Sequence, residues 1–140
     1  MNIEVLMITD RSGSMEDVAD AVIRAHNGFI MDQVGAGRAS ALLTHVTFAD
    51  DVQEHYRAMT MLGAPQLTRQ TYSCSGMTAL FDAMGTTISD AKRRIEDENW
   101  ADHVLCAILT DGEENASVAW TEGRLLDLLD RNAVRLDAVQ

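Results

Sequence analysis

IEVLMITDRSGS, residues 3–14, is the stretch that decides the fold, because a nearly continuous apolar run ends abruptly in aspartate, serine and glycine. A short apolar run of this kind is typical of a strand that is covered on both faces of a sheet. From Met15 onward, apolar residues recur at helical spacing as far as position 30, before the glycines at 35 and 37. The pattern predicts a strand, a polar loop and a helix, which together form the first βα unit.

The middle of the chain predicts a hairpin and a second helix. Residues 42–48 alternate between two faces, Asp50 and Asp51 interrupt, and residues 52–59 resume as a mixed run. Such a pattern indicates an antiparallel pair of strands. After a polar loop, apolar positions between 80 and 95 have helical spacing, so a helix should begin near Thr78.

A second buried strand is predicted at residues 103–110, followed by a loop that starts at Asp111. A last helix is expected at residues 121–131 and a last strand at residues 133–139. Strands that alternate with helices predict an α/β fold. We expect a doubly wound, mostly parallel, Rossmann-like sheet with one antiparallel hairpin strand and helices on both faces.

Composition predicts one domain over residues 1–140, with 46% hydrophobic and 24% charged residues. No apolar run reaches the length of about 18 residues that a membrane span needs, and no signal peptide fits before the first strand. The expectation is a cytoplasmic protein. The net charge of -11 opposes binding to nucleic acid or to an anionic membrane, and a cation or a basic surface fits better.

The predicted chemistry lies at the ends of the two buried strands, at Asp10 and Asp111. In an open parallel sheet, ligands gather at the carboxyl ends of strands, where the winding direction reverses. Two carboxylates that meet there repel each other, or require a cation between them. The nearby Ser12, Ser14 and Thr78 are oxygen donors, which suit magnesium, manganese or calcium rather than zinc.

Each of these residues also has a purely structural interpretation. Ser14 and Thr78 are suitable N-caps for the helices that follow them, and an aspartate after a strand often begins a turn. The combination of the five residues favours the metal site.

Three motifs resemble the metal-ion-dependent adhesion site of von Willebrand factor A domains: DRSGS at residues 10–14, GMTALFDA at residues 76–83 and TDG at residues 110–112. Their wording is most similar to small intracellular bacterial and phage members, and the resemblance spans nearly the whole chain. It implies that Ser12 and Ser14 bind the ion directly. Thr78, Asp10 and Asp111 would bind it directly or through water.

The resemblance also implies a protein partner, whose aspartate or glutamate completes the coordination of the ion. A noncatalytic, cation-dependent interaction module is therefore expected, not an enzyme. An accessory subunit that presents its ion to an ATPase or a modification system has the same chemistry and stays open.

A magnesium-dependent phosphatase or phosphotransferase is a less favoured alternative. The haloacid dehalogenase type also places an aspartate at the end of a strand beside magnesium, but it needs a second acid two residues later. Ser12 stands there instead, and Lys92 is the only lysine.

The chain departs from the family pattern in two places. Met77 stands where many members have a glycine. One strand is predicted beyond Asp111, where the family continues further, so the fold is C-terminally short or the segment is incomplete. In both cases the last strand could be an uncovered edge that pairs with a partner or a second copy.

The remaining residues that suggest chemistry have simpler interpretations. His26 and His45 lie on apolar or alternating positions and are expected to be packed side chains, and no histidine has ligand partners at useful spacing. Cys74 and Cys106 are expected to be thiols. Met15 and Met77 would flank the ion and could contact a partner.

Overall fold

The computed structural model describes residues 2–98 and 103–110, together with the backbone of residues 135–138. Its strands form one sheet with the spatial order β3-β2-β1-β4-β5. The strands are β1 Ile3–Asp10, β2 Leu42–Phe48, β3 Val52–Thr60, β4 His103–Leu109 and β5 Arg135–Ala138. Only the β2–β3 pair is antiparallel, and the other three pairs are parallel. The predicted mixed, mostly parallel sheet is confirmed.

Two long helices, α1 Ala19–Gly35 and α2 Leu80–Glu98, pack on the sheet. A 3-10 helix, Gly13–Val18, precedes α1, and its N-cap is Ser12, whose side chain makes no capping hydrogen bond. Ser14 lies inside this 3-10 turn, so the N-cap interpretation of Ser14 is wrong. The start of α2 at Leu80 agrees with the prediction to within two residues.

The two helices cover opposite faces of the sheet. Alternate residues of a strand point to opposite faces, and in β1 Leu6 and Ile8 pack in the cluster that contains Met84 and Ile88 of α2. Val5 and Met7 pack instead in a cluster with Ile30 of α1. Both faces of β1 are therefore buried, which explains why its sequence is an almost continuous apolar run.

Glu4 is the exception within that run. Its carboxylate is fully buried and binds Arg94 near the end of α2 and the hydroxyl of Thr44 in β2. Burial raises the pKa of Glu4, and the guanidinium of Arg94 opposes that effect. The ion pair connects α2 to the end of the sheet opposite the candidate site.

The predicted last strand is confirmed over residues 135–138, where β5 pairs with β4. The predicted helix at residues 121–131 and the loop that begins at Asp111 lie outside the described residues. Within the described part of the chain, no helix is long and apolar enough to cross a membrane.

Candidate metal centre

The candidate site lies where the winding of the sheet reverses. From β1 the chain passes to β2 on one side, and it later returns to β4 on the other side. A crevice outside the carboxyl ends of β1 and β4 follows from this order. Asp10 is the last residue of β1, and Thr110 directly follows β4.

Asp10 is fully buried, and both of its carboxylate oxygens accept hydrogen bonds. The backbone N–H of Ser12 donates to Oδ1 over 2.8 Å, and the Thr110 hydroxyl donates to Oδ2 over 2.9 Å. Within the described residues, no lysine or arginine forms an ion pair with Asp10. The neighbouring guanidinium, that of Arg11, binds Asp51 instead.

Ser12 and Ser14, in the loop that follows Asp10, carry two hydroxyl groups that lie close to each other. Their Oγ atoms lie 3.3 Å apart. Ser12 is buried, whereas Ser14 is exposed, so the pair extends from the protein interior to the surface. A 3-10 turn begins directly after Ser12, so the backbone between the two serines is more compact than an extended strand, in which residues two apart are separated by about 6.6 Å.

Thr78 belongs to a second loop, which two backbone hydrogen bonds fasten to the first. Ser75 N–H donates to the carbonyl of Arg11 over 2.9 Å, and Gly13 N–H donates to the carbonyl of Gly76 over 3.0 Å. Thr78 itself is buried. The structure therefore brings the loop of Thr78 against the loop of Asp10, although these residues are far apart in the sequence.

Asp50 sets the shape of the Thr78 loop from the other side. Its Oδ1 accepts a hydrogen bond from Met77 N–H over 3.0 Å. Gly76 has a φ of +86°, and a Cβ at this position would lie 2.5 Å from Asp50 Oδ2. The backbone conformation thus favours glycine at position 76, and a Cβ there would displace the Asp50 carboxylate that binds Met77. The following residue, Met77, tolerates a side chain because that side chain is exposed.

Tyr72 supports the first loop from below. Its hydroxyl donates to the carbonyl oxygen of Asp10 over 2.5 Å, and the ring is almost completely buried. Burial raises the pKa of Tyr72, so the hydroxyl stays protonated as a donor. Sequence reasoning missed Tyr72 because it stands in a polar loop with no pattern of its own.

Two sequence predictions about this site have different outcomes. Asp111 lies outside the described residues, so its place at the site stays a prediction. Met15 does not flank the site at the surface, because it is buried in a cluster with Leu109 and Tyr72. The expectation that Met15 could contact a partner is wrong, whereas Met77 is half-exposed.

The donor set fits a hard divalent cation. Neighbouring ligands around an ion with bonds of about 2.1–2.4 Å lie about 3.0–3.4 Å apart, and the Ser12 and Ser14 hydroxyls have that separation. A buried carboxylate without a cationic side chain also requires compensation. No group of three histidine, cysteine or acidic side chains that could hold a metal occurs in the described ranges.

Three of the four histidines, the buried His26 and His45 and the half-buried His55, pack against one another. The ring centroids of His26 and His45 lie 4.4 Å apart, and those of His45 and His55 lie 5.0 Å apart. Burial is the main cause that lowers the pKa of each ring, to about 4 for His26. His45 Nε2 shares a hydrogen bond with Thr9, one residue before Asp10. These rings pack the sheet, as expected for His26 and His45.

No protein-family model matches this chain, and no curated protein matches it. Solved structures do. The manganese-loaded TRAP protein of Plasmodium vivax is 19% identical with a TM-score of 0.62, and the similarity covers 98% of this chain and 56% of that one. A von Willebrand factor type A structure from Catenulispora acidiphila is 21% identical with a TM-score of 0.58, covering 98% of this chain and 32% of that one.

The von Willebrand factor domain of the type V pili tip protein Mfa5 from Porphyromonas gingivalis is 16% identical with a TM-score of 0.58, over 81% of this chain and 38% of that one. This chain spans between about a third and a little over half of the length of these three proteins. The chain has the fold of a von Willebrand factor A domain.

Proposed function

We propose that this chain is a noncatalytic protein-interaction module whose binding depends on one divalent cation, magnesium or else manganese or calcium. Asp10, Ser12, Ser14, Thr78 and Asp111 would hold the ion. The observation that carries the proposal is the buried carboxylate of Asp10, which accepts two hydrogen bonds but forms no ion pair in the described chain, since the guanidinium of Arg11 binds Asp51 instead.

An ion held mainly by neutral hydroxyls retains much of its positive charge and attracts a further anionic ligand. That ligand would be an aspartate or glutamate of a partner protein. Ser14 and Met77 are exposed next to the buried ligands, so a partner can reach this end of the sheet. Two of the similar structures also support the proposal. One is a manganese-loaded protein, and the other is a domain of a pili tip protein.

The position of the only lysine also supports a noncatalytic role. Phosphoryl-transfer sites commonly place a lysine close to the phosphoryl group. Lys92, the only lysine, lies twelve residues along α2 from its start and so roughly 18 Å from the site end of that helix, and it pairs with Glu96. An accessory role beside an ATPase or a modification system would use the same ion and differ only in the partner.

The test is metal-dependent capture of a partner by the immobilised chain. A partner should be retained in magnesium, released by EDTA and absent from an Asp10→Ala bait. Replacement of one acidic residue of that partner by its amide should also abolish retention. The matched control is Ser40→Ala, an exposed serine before β2, which should retain the partner fully. Equal retention by the Asp10→Ala bait or in EDTA would contradict the proposal.

A further inference from the structure

A polar cleft of about 400 Å³ opens directly beside the candidate metal centre. It lies between the β2–β3 hairpin and the loop that leads to Thr78. Arg11, which stands between Asp10 and Ser12, belongs to its wall, so the cleft and the metal loop share a residue. The other walls include His55 and the neutral side chains of Thr47, Gln53, Gln70 and Thr71.

The charge of this cleft differs from that of the rest of the protein. The chain carries a net charge of -11, yet no aspartate or glutamate among the residues that the structure describes lines the cleft. Its charged wall residue is Arg11, whose Nη2 binds Asp51 over 3.0 Å. Asp51 is largely exposed, so this ion pair is screened by water and can be exchanged for another anion.

Arg11 also keeps donor capacity that is not used. Its Nε is buried and has no hydrogen-bond partner within the described residues. A buried guanidinium N–H without an acceptor is unfavourable. A carboxylate that enters beside Arg11 would accept a hydrogen bond from this N–H, and the guanidinium would balance its charge. His55 adds a second polar group to the wall of the cleft. Its Nε2 shares a hydrogen bond of 2.7 Å with Thr47 Oγ1.

We propose that this cleft binds a second acidic side chain of the same partner segment whose first carboxylate completes the ion. This inference rests on the proposed function and specifies its partner: an acidic peptide with two carboxylates, one for the ion and one for Arg11. Asp51 acts as an intramolecular competitor for Arg11. The guanidinium would select against partners that offer a single acid.

The state of His55 agrees with this assignment. Burial and the positive charge of Arg11 lower the pKa of His55, so the ring is neutral at pH 7. Other charged groups near the cleft are Asp51, paired with Arg11, and Glu54, which is held by Arg57 on β3. An anion placed between Arg11 and His55 would favour the protonated ring, so binding of the peptide should be coupled to proton uptake as the pH is lowered.

The test uses blocked peptides with two glutamates that are separated by one to four glycines, titrated into the full chain in saturating magnesium. The controls are the same peptides with either glutamate replaced by glutamine. At one spacing, the diglutamate peptide should bind roughly tenfold or more tightly than its single-glutamate controls, as expected for a charge-assisted pair. If no spacing gives an advantage over the controls, the proposal is overturned.

Variants assign the advantage to the cleft. Arg11→Gln should reduce the diglutamate peptide to the affinity of its single-glutamate controls, and Asp51→Asn should increase its affinity. The matched control is Arg93→Gln, an exposed arginine of α2 that is not part of the cleft and should leave the advantage intact. An advantage that persists in Arg11→Gln would contradict the proposal.

Failure of this inference can be told from failure of the metal site. Magnesium titrated alone should bind Arg11→Gln at least as tightly as wild type, because a positive charge next to the ion is removed. In EDTA, the diglutamate peptide should still shift the Arg11 Nε–Hε resonance in NMR spectra, since the cleft contacts do not involve the ion. If the diglutamate peptide leaves the Arg11 resonance unchanged both in magnesium and in EDTA, the cleft assignment is overturned, even if the metal binds.

Discussion

Thr110 donates a hydrogen bond from its hydroxyl to Asp10 Oδ2 over 2.9 Å and so joins the carboxyl ends of β4 and β1. The bond orients the Asp10 carboxylate from outside the proposed ligand set. Partners of this kind position metal ligands and influence metal affinity strongly. Thr110 directly precedes Asp111 in the sequence, so the residue that orients Asp10 is followed by another proposed ligand.

Thr110→Val should weaken magnesium binding about tenfold, because the isosteric side chain keeps the packing but no longer orients Asp10. The loss of a donor to a buried carboxylate should also lower the free energy of unfolding by about 1–3 kcal/mol. Calorimetric titration and urea denaturation measure the two effects. The control is Thr60→Val, at the exposed end of β3, which should change neither quantity. Equal affinities of the two variants would refute the role of Thr110.

Tyr72→Phe should destabilise the chain by about 1–2 kcal/mol, since it removes the donor to the Asp10 carbonyl from a buried ring. Tyr56→Phe is the matched control. The Tyr56 hydroxyl is buried without a hydrogen-bond partner in the part of the chain that the structure describes, so its removal should be neutral or slightly stabilising. Thermal or urea unfolding of both variants gives the comparison, and the reverse order of stability would argue against this support of the site.

Gly76→Ala should destabilise the chain by roughly 1–2 kcal/mol and weaken metal binding as well. The new Cβ would meet Asp50 in a backbone conformation that L-residues rarely adopt, and the loop of Thr78 would have to move. Gly28→Ala in α1 meets nothing within 4 Å, so it should stabilise by about 0.5–1 kcal/mol. If metal affinity is unchanged in Gly76→Ala, the Thr78 loop does not contribute a ligand.

The buried histidines predict a loss of stability in mild acid. Burial lowers the pKa of His26 from its ordinary value of 6.5 to about 4, and the pKa values of His45 and His55 shift in the same direction. Below pH 6.5 the unfolded chain binds protons that the folded chain excludes. The contribution of these rings to stability is therefore complete above pH 6.5 and is lost as the pH falls towards 4.

For His26 alone, the loss at pH 5 is about 2 kcal/mol. Urea denaturation of wild type and His26→Phe at pH 7.5 and pH 5 measures it, and the variant should lose less stability between the two pH values. His103→Gln, an exposed histidine at the start of β4, should behave like wild type. A pH dependence that is identical in all three proteins would show that His26 is not excluded from protonation in the fold.

The parts of the fold that could be predicted are those with local patterns. The predictions were correct for the strand that ends at Asp10, for the hairpin and for α2. Alternation, helical spacing and a strand-ending aspartate are each visible within a few neighbouring residues. That β1 and β4 are neighbours in the sheet could only be assumed from the sequence, because strand order depends on contacts between distant elements. The closeness of Asp10, Ser12 and Ser14 could be predicted because all three belong to one short motif.

The supports of the site could not be predicted in the same way. Tyr72 reaches Asp10 across 62 positions, Asp50 reaches Met77 across 27, and Arg94 reaches Glu4 across 90. Each of these contacts depends on packing between elements, for which a single sequence carries no local signal. The prediction that Ser14 caps the helix was wrong for a related reason. The chain enters α1 through a 3-10 turn that begins after Ser12.

The central claim is that these loops hold one divalent cation, and isothermal titration of the wild-type chain with magnesium, repeated with manganese, tests it most directly. The account predicts a single binding event that Asp10→Ala and Asp111→Ala each abolish. Asp32→Ala, which removes an exposed carboxylate of α1, should leave the event unchanged. A wild-type chain that binds neither ion, or binding that survives in both Asp10→Ala and Asp111→Ala, would contradict the account.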